Sequence, residues 1–140
     1  MATISTYLTF NGTTEEAFNF YKSVFGGEFT EIHKFNTMPP QDGIPALSEE
    51  EGNRIMHISF PIGTSILFGS DTLSAHGDAI FGNNFSITIN GDSIEEADKL
   101  FSGLSVGGKI TMPLEKTFWN AYFGMFTDKF GINWMINFDL

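Results

Sequence analysis

Histidine, tryptophan and tyrosine supply the side chains best suited to chemistry in this sequence, and their placement narrows what that chemistry is. The three histidines, His33, His57 and His76, show no H-x-x-x-H or H-E-x-x-H spacing, so no local metal pair is encoded. His57 stands in Ile55-Met56-His57-Ile58-Ser59-Phe60. On a strand, Ile55, His57 and Ser59 share one face while Met56, Ile58 and Phe60 share the other. The second set is the natural one to pack on helices, which leaves His57 on the opposite side. There an imidazole could orient a substrate or exchange a proton near neutral pH. A half-exposed strand histidine bonded to a neighbour fits the same residues. Trp119 and Tyr122, in Phe118-Trp119-Asn120-Ala121-Tyr122-Phe123, each offer a flat apolar face with a polar tip. That composition suits a small-molecule pocket, and also plain core packing. Glu115, after Met112-Pro113-Leu114 in a loop, is a further candidate base, whereas Asp128 opens Asp-Lys-Phe-Gly and reads as a structural acceptor of turn amides.

Several chemistries are missing. The 140-residue chain has no cysteine, hence no disulfide, thiolate metal site or cysteine nucleophile. It has no G-x-G-x-x-G, no G-x-x-x-x-G-K-[ST] and no G-x-S-x-G, so phosphate cradles and the nucleophile elbow are absent. A net charge of −10 with only seven Lys and Arg opposes nucleic acid and anionic membrane surfaces. No apolar run approaches the ~20 residues of a membrane helix. Met1-Ala2-Thr3-Ile4-Ser5-Thr6-Tyr7 lacks the basic and apolar regions of a secretory signal, so the cytoplasm is the expected compartment. Sixteen Phe point to an aromatic core with enough left over to line an apolar cavity.

The elements that position these residues occur twice. Phe10-Asn11-Gly12-Thr13-Thr14-Glu15-Glu16-Ala17, a helical stretch and Gly26-Gly27 are echoed by Ile89-Asn90-Gly91-Asp92-Ser93-Ile94-Glu95-Glu96-Ala97, a helical stretch and Gly107-Gly108. Thr13 with Glu16, and Ser93 with Glu96, have capping-box spacing. Ala17, Tyr21 and Val24 form one apolar stripe, and Ala97, Leu100, Phe101 and Leu104 the other. The glycine pairs supply left-handed stops. Strands are expected at about 4–10, 28–35, 54–60 and 64–70, then 84–90, 108–112, 120–127 and 132–138. Each half therefore reads β-α-β-β-β, with module one at about 1–75 and module two at about 80–140. Residues 36–53 form a long polar loop of a length often found in lids, with Glu49-Glu50-Glu51 as solvated surface. Residues 71–83 connect the halves.

In that arrangement the sequence resembles the PhnB-like branch of the vicinal-oxygen-chelate (glyoxalase/bleomycin resistance/dioxygenase) superfamily. The resemblance rests on Tyr7-Leu8-Thr9-Phe10-Asn11-Gly12, Phe20-Tyr21, Met56-His57-Ile58, Ser70-Asp71, Met112-Pro113-Leu114-Glu115, Phe118-Trp119, Tyr122-Phe123-Gly124 and Asp128-Lys129-Phe130-Gly131-Ile132-Asn133-Trp134, in order along the chain. Asn120 and Lys129 depart from the Gly and Pro more usual in that branch. The resemblance implies an α+β fold in which two βαβββ modules form a cupped mixed sheet with helices outside. It implies one domain over residues 1–140 and a homodimer. In metal-dependent relatives, His and Glu from the first and last strands of each module hold a divalent ion.

Those four strands, at 4–10, 64–70, 84–90 and 132–138, contain no His, Asp or Glu. Asp71 and Asp139 stand just beyond strand ends. The expectation is therefore no metal and no cofactor, with a divalent metal as the alternative. Tyr7, Phe68 and Trp134 come from those strands, and if inward-pointing they would occupy an ion's space. The expected site comprises Tyr7, His57, Phe68, Trp119, Tyr122 and Trp134, with His57 the candidate catalytic residue. The expected role is binding of an unidentified small molecule. The alternatives are a metal-dependent glyoxalase or dioxygenase, and a metal-independent lyase or isomerase using His57. Methyl transfer is disfavoured, because no glycine-rich strand-turn-helix unit is present to hold S-adenosylmethionine.

Overall fold

A computed structural model describes residues 1–39, 43 and 46–140. Two compact units divide between Ala79 and Ile80. In the first, β1 (Thr6–Phe10) leads through an Asn11-Gly12 turn into α1 (Thr14–Phe25). The strands β2 (Glu31–Lys34), β3 (Ile55–Ile62) and β4 (Ser65–Asp71) follow, in sheet order β1-β4-β3-β2. Only the β1–β4 pairing is parallel. The second unit repeats the plan with β5 (Ile87–Asn90), α3 (Ile94–Leu104), β6 (Lys109–Lys116), β7 (Ala121–Thr127) and β8 (Asn133–Asp139), in order β5-β8-β7-β6. The fold is α+β, two four-stranded mixed sheets that do not close on themselves.

Each helix covers one face of its sheet. Thr14, Ala17, Phe18 and Tyr21 are the buried residues of α1, at the i, i+3, i+4, i+7 spacing of an amphipathic helix. Phe18 thus belongs to the stripe, while Val24 is only half-buried. Ala97, Leu100, Phe101 and Leu104 bury the matching stripe of α3. A side chain of Phe size, fully buried as Phe10, Phe18 and Phe60 are, stabilises the fold by about 2–3 kcal/mol. Gly69 and Gly124 allow the close approach. A Cβ on Gly69 would lie 2.5 Å from the Phe18 ring, and one on Gly124 would lie 2.6 Å from Phe101. These two contacts identify the helix-covered face of each sheet.

The two helix starts differ. Ser93 caps α3, its hydroxyl accepting from the Glu96 N–H at 3.0 Å while the Glu96 carboxylate accepts from Asp92 N–H at 2.8 Å. Thr13 makes no side-chain cap bond, contrary to the capping-box expectation. Asp71, from the end of β4, does that work. Its Oδ1 accepts from the N–H groups of Gly12 and Thr14, at 3.0 Å each, and from the Thr14 hydroxyl at 2.6 Å. Its Oδ2 accepts from Ile55 N–H at 2.8 Å. A charged acceptor at a helix N-terminus also complements the helix dipole.

The span expected as loop carries structure. A 3-10 turn occupies Phe35–Thr37, and α2 (Glu49–Gly52) forms on the acidic run, capped by Ser48. Glu50 pairs with Arg54 at 2.9 Å, and Glu51 accepts from Ser74 N–H at 2.7 Å. That backbone bond holds the Glu51 carboxyl below the usual carboxylate range. Residues 40–42, 44 and 45 of the expected lid lie outside the described residues.

Candidate functional site

Alternation along the strands of the first sheet opposes the helix-covered residues Leu8, Ile58 and Gly69 to a second set on the open face. Tyr7 pairs with Phe68, Phe68 with Ser59, and Ser59 with Glu31. These four residues form one row across the whole sheet, spaced about 5 Å apart from strand to strand. His57 stands beside the row, opposite His33. Three rings cluster there. Tyr7 and Phe68 stack with centroids 6.2 Å apart and planes at 23°. His57 lies 5.5 Å from Phe68 and 6.0 Å from Tyr7. The sequence expectation for Tyr7, His57 and Phe68 therefore describes residues that the fold brings together. Tyr7 is 51% exposed, so the ring platform is open to a ligand.

Polar groups line one side of this platform. His57 Nε2 is 3.0 Å from Ser59 Oγ and 3.8 Å from Glu31 Oε2. Both partners address the same ring nitrogen. A nucleophile–base–carboxylate relay needs opposite nitrogens, so these three residues do not compose a serine triad. Ser59 is 5% exposed and holds the imidazole, whereas His57 and Glu31 can hydrogen-bond a bound molecule and exchange one proton through His57. Ile55 does not join His57 on this face. The β2–β3 ladder slips between His33 and Lys34, and Ile55 is fully buried.

The other expected residues lie in the second unit, and the structure separates them. Gly124 faces α3, so Tyr122 and Phe126, two residues to either side, face it as well. Trp134 pairs with Phe126 and shares that face, 1% exposed, with its indole N–H donating to Asp128 Oδ2 at 2.8 Å. Tyr122 donates its hydroxyl to Asp98 of α3 at 2.6 Å. Neither side chain reaches the open face. Trp119 is half-exposed at the β6–β7 turn, its ring 6.0 Å from Phe123, which does lie on the open face. Asp128 plays the structural part read for it, accepting from Phe130 N–H and Ile132 N–H as well. Sequence reasoning missed Ser59 and Glu31 as site residues. The alternation Glu31-Ile32-His33 was a usable signal for the face, but the cross-strand partners were not.

The bond to Asp98, then desolvation and the Asp98 charge, raise the Tyr122 phenol above its ordinary value. The neutral phenol is thus favoured in the folded state. Its stabilisation is present at neutral pH and is lost as pH rises through the raised folded value. An absorbance titration of native protein minus Tyr122→Phe is expected to show one phenol ionising above the ordinary value of about 10. A difference curve centred at or below that value would contradict the bond.

Two groups bear on the described residues, a metal ion and a nucleotide seated at a strand-to-helix turn. Among the described residues no three His, Asp or Glu side chains are grouped so as to hold a metal ion. β4 and β8 each run one residue further than expected and so include Asp71 and Asp139. Asp71 is 5% exposed and filled by four donors, whereas exposed Asp139, among the described residues, accepts from the Asn137 amide at 3.1 Å. A nucleotide cradle uses free amides at a strand-to-helix turn. Here the first turn gives its amides to Asp71 and the second to Ser93 and Glu96. S-adenosylmethionine therefore has no such seat at either turn.

This architecture defines the glyoxalase-like class: a protein of 17% identity from Burkholderia phytofirmans, a glyoxalase/bleomycin resistance protein/dioxygenase family enzyme, shares the fold with a TM-score of 0.58. Residues 2–137 match the family described as 3-demethylubiquinone-9 3-methyltransferase, and the chain belongs to that family. Protein YjdN of Escherichia coli is 32% identical over 139 residues, covering 96% of this chain and 93% of its own. The crystal structure of PA1353 from Pseudomonas aeruginosa, 38% identical, superposes with a TM-score of 0.85 over 99% of this chain and 98% of that one. A putative 3-demethylubiquinone-9 3-methyltransferase, PhnB protein, from Bacillus cereus is 26% identical with a TM-score of 0.76, over 98% and 99% of the two chains.

Proposed function

We propose that the protein binds a small organic molecule on the open face of the first sheet, without a metal or other cofactor. The observation that carries this reading is the Tyr7–Phe68–His57 ring cluster, with Tyr7 exposed and Phe68 and His57 half-buried, and with Glu31 along one side. Aromatic faces supply apolar contact at low entropic cost, and a few fixed polar groups supply orientation. Should turnover be found, His57 is the acid-base residue, acting in a metal-independent lyase or isomerase step. The methyltransferase named in the family description needs a nucleotide seat that neither turn offers.

The same reading places the protein in the cytoplasm as a homodimer that binds neither nucleic acid nor membranes. Its net charge of −10 opposes polyanions. No helix among the described residues is long and apolar enough to cross a membrane. Phe118, 97% exposed, and Phe85, 61% exposed, offer apolar surface for a second copy to cover.

A thermal-shift screen against small metabolites tests the reading. A binder at a hundred times its Kd is expected to stabilise the protein by about 2.7 kcal/mol. Tyr7→Ala and His57→Ala should shrink that shift, and Tyr122→Phe, on the helix-covered face, should leave it intact. Equal shifts in Tyr7→Ala and the parent would rule out this face as the site.

A further inference from the structure

The open face of the first sheet is one-sided in charge. Its strand positions are Tyr7 and Thr9 of β1, Ile66, Phe68 and Ser70 of β4, His57, Ser59 and Pro61 of β3, and Glu31 and His33 of β2. One carboxylate stands among them, and no Lys or Arg. The Glu31 side chain is 58% exposed, and the imidazoles of His57 and His33 lie 3.8 and 4.0 Å from its carboxylate. Among the described residues no Lys or Arg pairs with it. The carboxylate is thus available to a positive group arriving from solution. The apolar end of the row presents the rings of Tyr7, Phe68 and His57, on which a planar aromatic group of a ligand can lie. About 10 Å separates Phe68 from Glu31 across two strand spacings. That span matches an aromatic ring laid on Phe68 and His57 with a charged group on a short arm. The net charge of −10 adds long-range attraction for a cation and repels an anion.

We propose that this face selects a planar aromatic cation, its ring over Phe68 and His57 and its positive group at Glu31. The proposal rests on the reading of this face as the binding site and goes further by fixing the charge of the ligand. No covalent step is involved.

Three probes of one shape separate the possibilities: 1-naphthylmethylamine, 1-naphthylmethanol and 1-naphthylacetate, titrated into the full chain at pH 7.5 by calorimetry, with the aromatic NMR signals of Tyr7, His57 and Phe68 followed in parallel. The amine is expected to bind about five-fold tighter than the alcohol, and the acetate more weakly than either. In Glu31→Gln, the amine's advantage over the alcohol should fall to about two-fold or less, the remainder being the long-range attraction of the chain's net negative charge. Glu31 is largely exposed on an edge strand, and an unchanged Tm of the variant would show that the fold is kept. If the alcohol or the acetate binds as tightly as the amine while moving the same three rings, the charge assignment is overturned and the site reading stands. If the amine keeps its advantage in Glu31→Gln, the role of Glu31 is overturned. If no probe moves those rings, the site reading fails, and the cation with it.

Discussion

Asp71→Ala is expected to lower folding stability by about 3–5 kcal/mol, the range for removing one partner from a buried, charge-assisted network. The carboxylate is 5% exposed and accepts four hydrogen bonds from three segments, the Asn11-Gly12 turn, the first residue of α1 and the first residue of β3. Two of its donor residues, Thr14 and Ile55, are themselves 0% exposed, so water cannot readily replace the lost acceptor. Asp71→Asn keeps one oxygen but sets an amide NH2 against a donor, and should recover only part of the loss. Asp139 ends β8 as Asp71 ends β4, yet it is exposed and, among the described residues, accepts from a single amide. Asp139→Ala should therefore change stability by no more than about 0.5 kcal/mol. Urea unfolding of the three variants measures these differences. An Asp71→Ala loss below about 1 kcal/mol would mean that the network relaxes onto water.

Gly108→Ala is the second large effect, with an expected loss of about 3 kcal/mol. An added Cβ would meet backbone on the neighbouring strand: the carbonyl oxygen of Thr127 first, then Asp128 Cα at 2.9 Å and its carbonyl carbon at 3.0 Å. Backbone cannot rotate away as a side chain can, so β6 would have to separate from β7 or shift along it. Gly26 is the matched contrast. It has φ +77° with ψ −170°, a region essentially confined to glycine, and a Cβ there meets nothing within 4 Å, so Gly26→Ala carries only a backbone-strain cost of about 1–3 kcal/mol. Chemical denaturation of the pair separates the two costs. A loss at Gly26 equal to or above that at Gly108 would contradict the packing argument.

The legible parts of the fold were those set by local pattern. The α3 stripe appeared as read because Ala97, Leu100, Phe101 and Leu104 follow helical spacing on one short segment. His57 fell on the open face because Ile58 and Phe60 alternate with it and Ser59. The cap of α1 was not legible, since its acceptor lies 57 residues from Thr14. Trp134 and Tyr122 were misplaced for a different reason. In Ala121-Tyr122-Phe123-Gly124-Met125-Phe126 every residue is apolar or small, so alternation carries no phase. The phase is set by Gly124 against Phe101, a contact between elements. Glu31 was overlooked because its proximity to His57 depends on the β2–β3 register, which includes a slip.

That the ring cluster of the first sheet holds the ligand is tested most directly by aromatic NMR during titration with the most stabilising compound from the metabolite screen. The ring signals of Tyr7, His57 and Phe68 are expected to move together and saturate at a single Kd, while those of Tyr122 and Trp134 stay in place. Saturable movement of the Trp134 and Tyr122 rings with the first three unmoved would contradict it.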